Sequence, residues 1–304
     1  MATYITQTQG LIGSPILQKQ ARLLQAARQQ GILPLSLYYY PVETDSAGEL
    51  SARQDGILSG VSFGDDVIVQ QPTLLGGKYE QAFLDKIANF CQASTSKLVI
   101  AVSALPDPAK PKELAQEIQL YNRADVLLVP SVEAGTFLRE HGLQVSRLVY
   151  LDVWDRKVAL NLDSPAFSRQ LVTLDAALAD QVAGKWVRPS TTAVYDLHTA
   201  GGFALLWPAA KYDSGITEAQ VLASGLPVVV SQESYLARII EREGMGLAVP
   251  DLATAAAYGA MVTEEDYQQL AANAGRFSAF VRSGGFTSHA ISQAVASVNQ
   301  LKWG

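Results

Sequence analysis

The chain lacks most of what disulfide-rich and metal-binding proteins need. It has one cysteine, Cys91, in 304 residues, and its three histidines lie far apart in the sequence. A single cysteine excludes an internal disulfide and is typical of a reducing cytoplasm. Scattered histidines do not have the spacing of a metal site. We therefore expect a buried, structural Cys91 and no bound metal.

Long apolar runs are also missing. No stretch approaches the roughly 20 apolar residues of a membrane span. The segment Met1–Thr6 has neither the basic flank nor the apolar core of a signal peptide, and it is interpreted as a strand. We expect a cytoplasmic protein with no membrane span, and peripheral attachment through a partner is the alternative left open.

Positive charge and the usual nucleotide motifs are scarce as well. The net charge is -6 and no basic stripe is present, which argues against a nucleic-acid partner. There is no Gly-x-Gly-x-x-Gly, no Walker loop and no Gly-x-Ser-x-Gly. No Asp-x-Asp occurs, which argues against a metal-dependent single-domain transferase. The glycine pairs at 76–77, 201–202 and 284–285 are interpreted as turns.

What is present is an alternation of short apolar runs with longer helical patterns. Apolar residues make up 48% of the chain and charged residues 17%, as in globular proteins. Strands are predicted at Thr3–Thr6, Pro34–Tyr40, Asp66–Gln70, Lys97–Val102, Asp125–Val129, Leu148–Leu151, Arg169–Leu174, Phe203–Trp207, Pro227–Val230 and Leu247–Val249. Helical patterns separate them, which indicates α/β architecture with parallel sheets covered on both faces. The accumulation of Asp, Asn, Ser and Pro in Asp152–Pro165 predicts a boundary between two domains.

One turn in the sequence indicates a more specific fold than the α/β pattern alone. Gly225–Ser231 closes a helix-like run and opens an apolar strand, as in the donor domain of two-domain glycosyltransferases. The matches to one such family are Tyr40–Gly60, Gly64–Gln70, Pro72-Thr73, Tyr121–Val126, Pro130-Ser131, Trp154-Asp155, Gly201–Phe203, Leu206-Trp207, Ala223–Val230 and Gly285–Thr287. On these residues, almost all of 3–301 resembles the glucosyltransferase-3 (nucleotide-sugar-synthetase-like) family of streptococcal and lactobacillal adhesin glycosylation.

The resemblance implies the GT-B fold, with two Rossmann-like domains facing across a cleft. It implies an acceptor-side domain over 1–152, a shortened donor-side domain over 153–285, and a helix over 286–304 that packs back on the first domain. Members of the family form homo-oligomers and move glucose from a uridine-diphosphate sugar to N-acetylglucosamine on serine-rich-repeat adhesins. By resemblance, the fold and the activity of the family are the starting expectation for this chain.

The chain departs from the family pattern where that chemistry is located. Val102-Ser103 stand in place of a His-Asp pair in the acceptor cleft, and neither is a charged base at neutral pH. Thr173–Ala176 replace a Phe-Pro-Gly-Asn loop, and Ala179 stands where an arginine neutralises the diphosphate. Ile216-Thr217 replace Tyr-Lys.

A fourth departure is a deletion. About one strand and its loop are missing between Trp186 and Arg188, in a region that commonly helps to form the base pocket. The donor site implied by the resemblance has therefore lost most of its diphosphate-binding groups. Substitution of these groups by a nearby cation is the open alternative, with Arg169, Lys185, Arg188 and Lys211 as the candidates.

The main hypothesis is a non-catalytic homologue that acts as partner, stabiliser or acceptor-binding subunit of an active glycosyltransferase paralogue or of its own copies. It has no cofactor, and a UDP-sugar is its donor only if it is active. In the alternative, an active hexosyltransferase, the acid-base candidates are Asp152, Asp155 and Glu218. For Asp152 and Asp155, the position near the domain junction favours a solvated hinge or a helix cap over a cleft acid or base. A small-ligand-binding protein unrelated to glycans is a third hypothesis.

Two further sets of candidates follow from the resemblance. For the nucleotide sugar they are Arg188, Thr217 and Gln220, and for the acceptor-side cleft they are Gln9, Gly10, Gln71 and Ser103.

Overall fold

The computed structural model describes residues 1–208 and 210–303, which form two units. The amino-terminal unit joins Met1–Asp152 with the chain from Thr287 onward, and the carboxy-terminal unit is Val153–Phe286. Among the described residues, no helix is long and apolar enough to cross a membrane.

The amino-terminal unit contains a six-stranded parallel sheet of order β2-β1-β3-β4-β5-β6. Its strands are β1 Thr3–Gln9, β2 Leu33–Tyr38, β3 Asp66–Gln71, β4 Leu98–Val102, β5 Val126–Val129 and β6 Arg147–Tyr150. All residues of β3, β4 and β5 are buried, since helices cover both faces of a parallel sheet.

Five helices connect these strands: α1 Pro15–Gln29, α2 Ala47–Leu58, α3 Gly77–Ala93, α4 Pro111–Tyr121 and α5 Val132–Glu140. Polar side chains start several of them by accepting from free backbone N–H groups. Ser46 and Glu49 form a reciprocal capping box at α2, and Ser131 accepts from Ala134 N at α5. Cys91 in α3 is buried, as expected, and burial raises the pKa of its thiol to about 12.

The carboxy-terminal unit contains a five-stranded parallel sheet of order β11-β10-β9-β7-β8. Its strands are β7 Leu171–Thr173, β8 Lys185–Trp186, β9 Phe203–Leu206, β10 Val228–Ser231 and β11 Gly246–Val249. Its helices are α6 Ala176–Gln181, α7 Ala193–Ala200, α8 Ile216–Ala223, α9 Leu236–Arg242, α10 Leu252–Met261 and α11 Glu264–Ser283. The alternation predicted from the sequence is confirmed in both units.

The turn at Gly225 has the conformation that the sequence indicates. Helix α8 ends at Ala223, Gly225 has φ of +74°, and β10 begins three residues later. Glycine adopts this left-handed conformation without the steric cost that a Cβ brings. The turn therefore reverses the chain directly from the end of α8 into β10, which lies between β11 and β9 in the sheet.

The last helix, α12, spans Gly285–Trp303, and from Thr287 it belongs to the amino-terminal unit. Lys302 Nζ lies 2.6 Å from Asp66 Oδ1, and these side chains are only 5% and 8% exposed. Arg147 Nη1 donates to Gln300 Oε1 at 2.9 Å. The predicted return of the last helix to the amino-terminal part of the chain is confirmed.

One strand, β8, and one α-helix, α10, were not predicted from the sequence. Strand β8 has two residues, too few to show any periodicity. Helix α10 has the sequence LATAAAYGAM, in which apolar residues, chiefly alanine, stand at almost every position. Without a polar face, the 3.6-residue pattern is absent, although alanine favours a helix.

Asp65 ties the start of β1 to the loop before β3. Its Oδ1 accepts from Ala2 N at 2.6 Å and its Oδ2 from Ser62 N at 3.0 Å. The hydrogen bond from Ala2, opposed by burial and aided by the one from Ser62, lowers the pKa of this carboxyl. A lowered folded-state pKa stabilises the protein above the unfolded pKa of about 4 and loses that effect as pH falls further.

Asp65→Asn is therefore expected to lower the free energy of unfolding by about 1 kcal/mol at pH 7, since solvent screens part of the effect. The difference from wild type should shrink from pH 4 downward, because the wild-type carboxyl then becomes protonated. Urea unfolding at pH 7 and pH 3 measures both values, with Asp163→Asn at an exposed position as the control. A difference that does not depend on pH would contradict this role of the charge.

Candidate functional site

A cavity of about 830 Å³ lies at the carboxyl ends of the strands of the carboxy-terminal unit. Its lining includes strand ends and the start of one helix: Thr173 and Leu174 at the end of β7, Trp186 in β8, Leu206 and Trp207 at β9, and Gly215, Thr217 and Glu218 at α8. Open α/β sheets bind ligands at this edge. The volume is that of a small-molecule site.

The charge of this cavity is negative. Asp175, Asp213 and Glu218 line it, and no lysine, arginine or histidine is among its described lining residues. A phosphate-binding site needs the opposite charge, supplied by cations or by free backbone N–H groups. The described lining therefore offers no cationic side chain to pair with a diphosphate.

The helix N-termini at the cavity are already occupied by the protein's own carboxylates. Glu218 Oε2 accepts from Gly215 N at 2.7 Å at the start of α8. Asp175 Oδ1 accepts from Leu178 N at 3.1 Å at the start of α6. Each carboxylate therefore binds one backbone N–H group and places negative charge at the positive end of a helix dipole, where an anionic ligand would lie.

The third carboxylate is held by a buried indole. Trp154 Nε1 donates to Asp213 Oδ1 at 2.7 Å, and Trp154 N donates to Ser214 Oγ at 3.2 Å. Trp154 is 1% exposed. The segment that carries Asp213 is thus fixed to the core of the unit.

Two further tryptophans line the cavity. Trp186 is 48% exposed and Trp207 is partly buried. Trp186 ends β8 and Trp207 follows β9, the two strands that flank β7, so they lie on either side of the β7 end. The cavity therefore combines carboxylates with aromatic faces.

Of the nucleotide-sugar candidates, the structure brings Thr217 to the cavity. Gln220 is buried and its Nε2 donates to Ser190 O at 3.0 Å, which is a structural contact. Arg188 is exposed and is not in the cavity lining. In the part of the chain that the structure describes, the other candidate cations are outside the lining too: Arg169, Lys185 and Lys211.

The acid-base candidates are separated. Glu218 lines the cavity, whereas Asp155 is outside the lining and only 1% exposed. Asp155 Oδ1 accepts from Phe286 N at 3.3 Å. Asp152 is half-buried, has φ of +66° and ends the first segment of the amino-terminal unit. Asp155 is thus placed as a tie to the start of α12.

The acceptor-side candidates all lie at the carboxyl edge of the amino-terminal sheet. Gln71 ends β3, Ser103 follows β4, and Ser103 N donates to Gln71 O at 2.7 Å. Both side chains are buried, and among the described residues Gln71 Oε1 and Ser103 Oγ have no hydrogen-bond partner. Gln9 Nε2 donates to Ser36 Oγ at 2.8 Å, and Gly10 follows with φ of +87°.

Among the described residues, neither sheet edge carries a metal centre. In residues 1–208 and 210–303, no three or more His, Cys, Asp or Glu side chains are grouped to hold an ion. Sequence reasoning did not single out Trp186 or Asp213 as site residues. Trp186 stands in the two-residue strand, and Asp213 follows an irregular loop, so neither is marked by a periodic pattern.

Comparison with known proteins agrees with this architecture. The family model "Glucosyltransferase 3-like, N-terminal domain" matches residues 2–153, and "Glucosyltransferase 3-like, C-terminal domain" matches residues 183–294. Glucosyltransferase 3 of Streptococcus gordonii is 28% identical, with 98% of this chain and 99% of that protein covered. Glucosyltransferase 3 of Streptococcus parasanguinis is 27% identical, with 97% and 98% covered.

Solved structures identify the fold. HepE of Anabaena, crystallised with UDP, has a TM-score of 0.64 at 12% identity, with 98% of this chain and 100% of that chain covered. Sucrose-phosphate synthase of Thermosynechococcus elongatus has a TM-score of 0.65 at 12% identity, with 99% of both chains covered. The predicted GT-B glycosyltransferase fold is confirmed. From both family models, the chain belongs to the glucosyltransferase 3-like family.

Proposed function

We propose that this chain is a non-catalytic member of its glycosyltransferase family. It acts in the cytoplasm as partner or stabiliser of an active glycosyltransferase in bacterial glycan or adhesin glycosylation. The observation that carries the proposal is the charge of the cavity in the carboxy-terminal unit: three carboxylates and, among the described lining residues, no cation.

The energetic argument concerns the diphosphate of a nucleotide sugar. Each charge-assisted hydrogen bond to phosphate contributes about 1.5–3 kcal/mol. The loss of two or three such bonds weakens binding by roughly a thousandfold or more. The carboxylates of Asp175 and Glu218 add repulsion at the helix N-termini where the phosphates would be placed.

The fold supports a role in binding another protein through its surface, in place of binding a sugar donor. The family models match both parts of the chain, and the six-stranded sheet of the amino-terminal unit is complete, with β3, β4 and β5 buried throughout. A fold kept at this level without a cationic donor site still presents its outer surfaces. An active paralogue, or another copy of this chain, is the partner that we propose for such a surface.

An active hexosyltransferase is the second candidate function. It is favoured by the cavity itself, which is open and large enough for a ligand, with Thr217 exposed and Glu218 at its edge. In that case a UDP-sugar is the donor, Glu218 is the acid-base candidate of the cavity, and exposed Arg188 must rearrange to reach the diphosphate. A glycan or a GlcNAc-modified protein would be the acceptor.

The deciding experiment is calorimetric titration of the purified chain with UDP, UDP-glucose and UDP-GlcNAc. We expect any binding to have a Kd above about 1 mM. Such binding is roughly a thousandfold weaker than that of a micromolar donor site. Glucosyltransferase 3 of Streptococcus gordonii, titrated in parallel, is the positive control. Micromolar binding, or transfer by the purified chain without a partner, would establish the active enzyme instead.

If turnover were found, Arg188→Ala would show whether that arginine had taken over the diphosphate. For the partner role, the full chain is copurified from its native host. Recovery of an active glycosyltransferase is the expected result, and recovery of the chain alone would contradict the role of partner to a paralogue.

A further inference from the structure

The cavity of the carboxy-terminal unit has a chemistry of its own. Trp186 and Trp207 present aromatic faces, while Asp175 and Glu218 present hydrogen-bond acceptors. An ionised carboxylate accepts hydrogen bonds and donates none. A matching ligand must therefore bring its own donors together with an apolar face.

The spacing of the two tryptophans limits the size of that face. Thr173 in β7 is paired with Trp186 in β8, and β9 lies on the other side of β7. Neighbouring strands are about 4.8 Å apart, so the backbones that carry Trp186 and Trp207 are roughly 10 Å apart across β7. One or two sugar rings fit that width.

The carboxylates keep acceptor capacity after they have capped their helices. The described hydrogen bonds engage Oδ1 of Asp175 and Oε2 of Glu218. A carboxylate has about four lone-pair sites on two oxygens, so the second oxygen of each remains able to accept from a ligand. Because the caps fix their orientation, these acceptors are preorganised.

We propose that this cavity binds a neutral saccharide that carries no nucleotide. The C–H face of a pyranose packs against the indole of Trp186, and its hydroxyls donate to the carboxylates of Asp175 and Glu218. Thr217, with a hydroxyl that donates and accepts, lines the same cavity. The inference rests on the proposed function, because a bound nucleotide sugar would occupy the space that we assign to the saccharide.

The test is titration of the purified full chain with glucose, N-acetylglucosamine and cellobiose. Binding is measured by the change in tryptophan fluorescence and by calorimetry. We expect at least one of these sugars to bind with Kd near 1 mM or tighter. Glucose 6-phosphate, which differs from glucose by its charge, should bind at least about tenfold more weakly, because the carboxylates repel it.

Two variants link binding to the named residues. Trp186→Ala, at a half-exposed position, should weaken saccharide binding by about tenfold. Trp303→Ala removes an indole that is 72% exposed in the amino-terminal unit, and it should leave binding unchanged. Equal effects of the two variants would overturn the assignment of the ligand to this cavity.

A third variant separates neutral from cationic ligands. Asp175→Asn keeps a side chain that can cap α6 but removes the charge. Saccharide binding should change by less than about threefold, while glucose 6-phosphate should bind more tightly than to wild type. Choline is titrated as the cationic probe, since aromatic faces and carboxylates also attract cations. Choline binding that exceeds that of every sugar and is lost in Asp175→Asn would overturn the proposal.

The outcomes distinguish this inference from the proposed function. Sugar binding without UDP-glucose binding supports both. If none of the sugars binds and UDP-glucose does not bind either, the saccharide inference is overturned and the non-catalytic function stands. Micromolar binding of UDP-glucose overturns both.

Discussion

Gly246→Ala will lower the free energy of unfolding of the carboxy-terminal unit by about 3 kcal/mol or more. A Cβ at this position would lie 1.8 Å from the carbonyl oxygen of Val228 and 2.8 Å from its backbone nitrogen. Strand β10, which carries Val228, is held between β9 and β11 by ladder hydrogen bonds. Because the obstacle is backbone and not a flexible side chain, the two strands must separate to accommodate the methyl group.

Gly275→Ala is the matched control, with the same added methyl group in the same unit. Gly275 lies inside α11, and a Cβ there meets no atom within 4 Å. Alanine favours a helix interior over glycine by about 1 kcal/mol, so this variant should be more stable than wild type. Urea unfolding is followed by fluorescence in a Trp303→Phe background, where the remaining tryptophans all belong to the carboxy-terminal unit. Shifts of the same sign in both variants would show that space at Gly246 is not the cause.

Trp154→Ala will destabilise the same unit by about 3–5 kcal/mol, the range for truncating a buried large aromatic side chain. The indole is 1% exposed and fixes Asp213 through its Nε1. Alanine leaves both a cavity and a carboxylate that has lost this donor. Urea unfolding monitored by circular dichroism gives the difference from wild type.

Trp154→Phe separates the two contributions. Phenylalanine keeps most of the apolar volume and removes the donor to Asp213 Oδ1, so we expect a smaller loss of about 1–3 kcal/mol. A phenylalanine variant as unstable as the alanine variant would assign the whole effect to the hydrogen bond. A loss below about 1 kcal/mol in Trp154→Ala would contradict the role of this indole as an anchor.

Elements with strong apolar patterns were predictable from the sequence. Asp66–Gln70 and Lys97–Val102 are dominated by apolar residues, and they became the buried strands β3 and β4, with bounds one residue away. Strand β1 continues to Gln9, three residues beyond the predicted end. Its last residues are polar because they are only partly buried, and such residues lack the signal of a buried strand.

The candidate site was predictable only in part. The turn at Gly225 identified the donor-side fold, and Thr217 and Glu218 next to it do line the cavity. Trp186 and Asp213 line the same cavity but come from distant segments of the chain. Strand order places Trp186 there, and the hydrogen bond from Trp154 holds Asp213. No local sequence pattern encodes either arrangement. Missing cations, by contrast, are readable directly in the sequence, and none of the described lining residues replaces them.

The position of α12 also has a consequence for biosynthesis. The carboxy-terminal unit is one continuous segment, whereas the amino-terminal unit needs two segments separated by the whole of the other unit. During translation, domains generally fold as their segments emerge, starting from the amino terminus. The ion pair of Asp66 with Lys302 and the hydrogen bond from Arg147 to Gln300 cannot form until the ribosome has synthesised residues 287–303. The unit that begins first on the ribosome is therefore the one that is completed last.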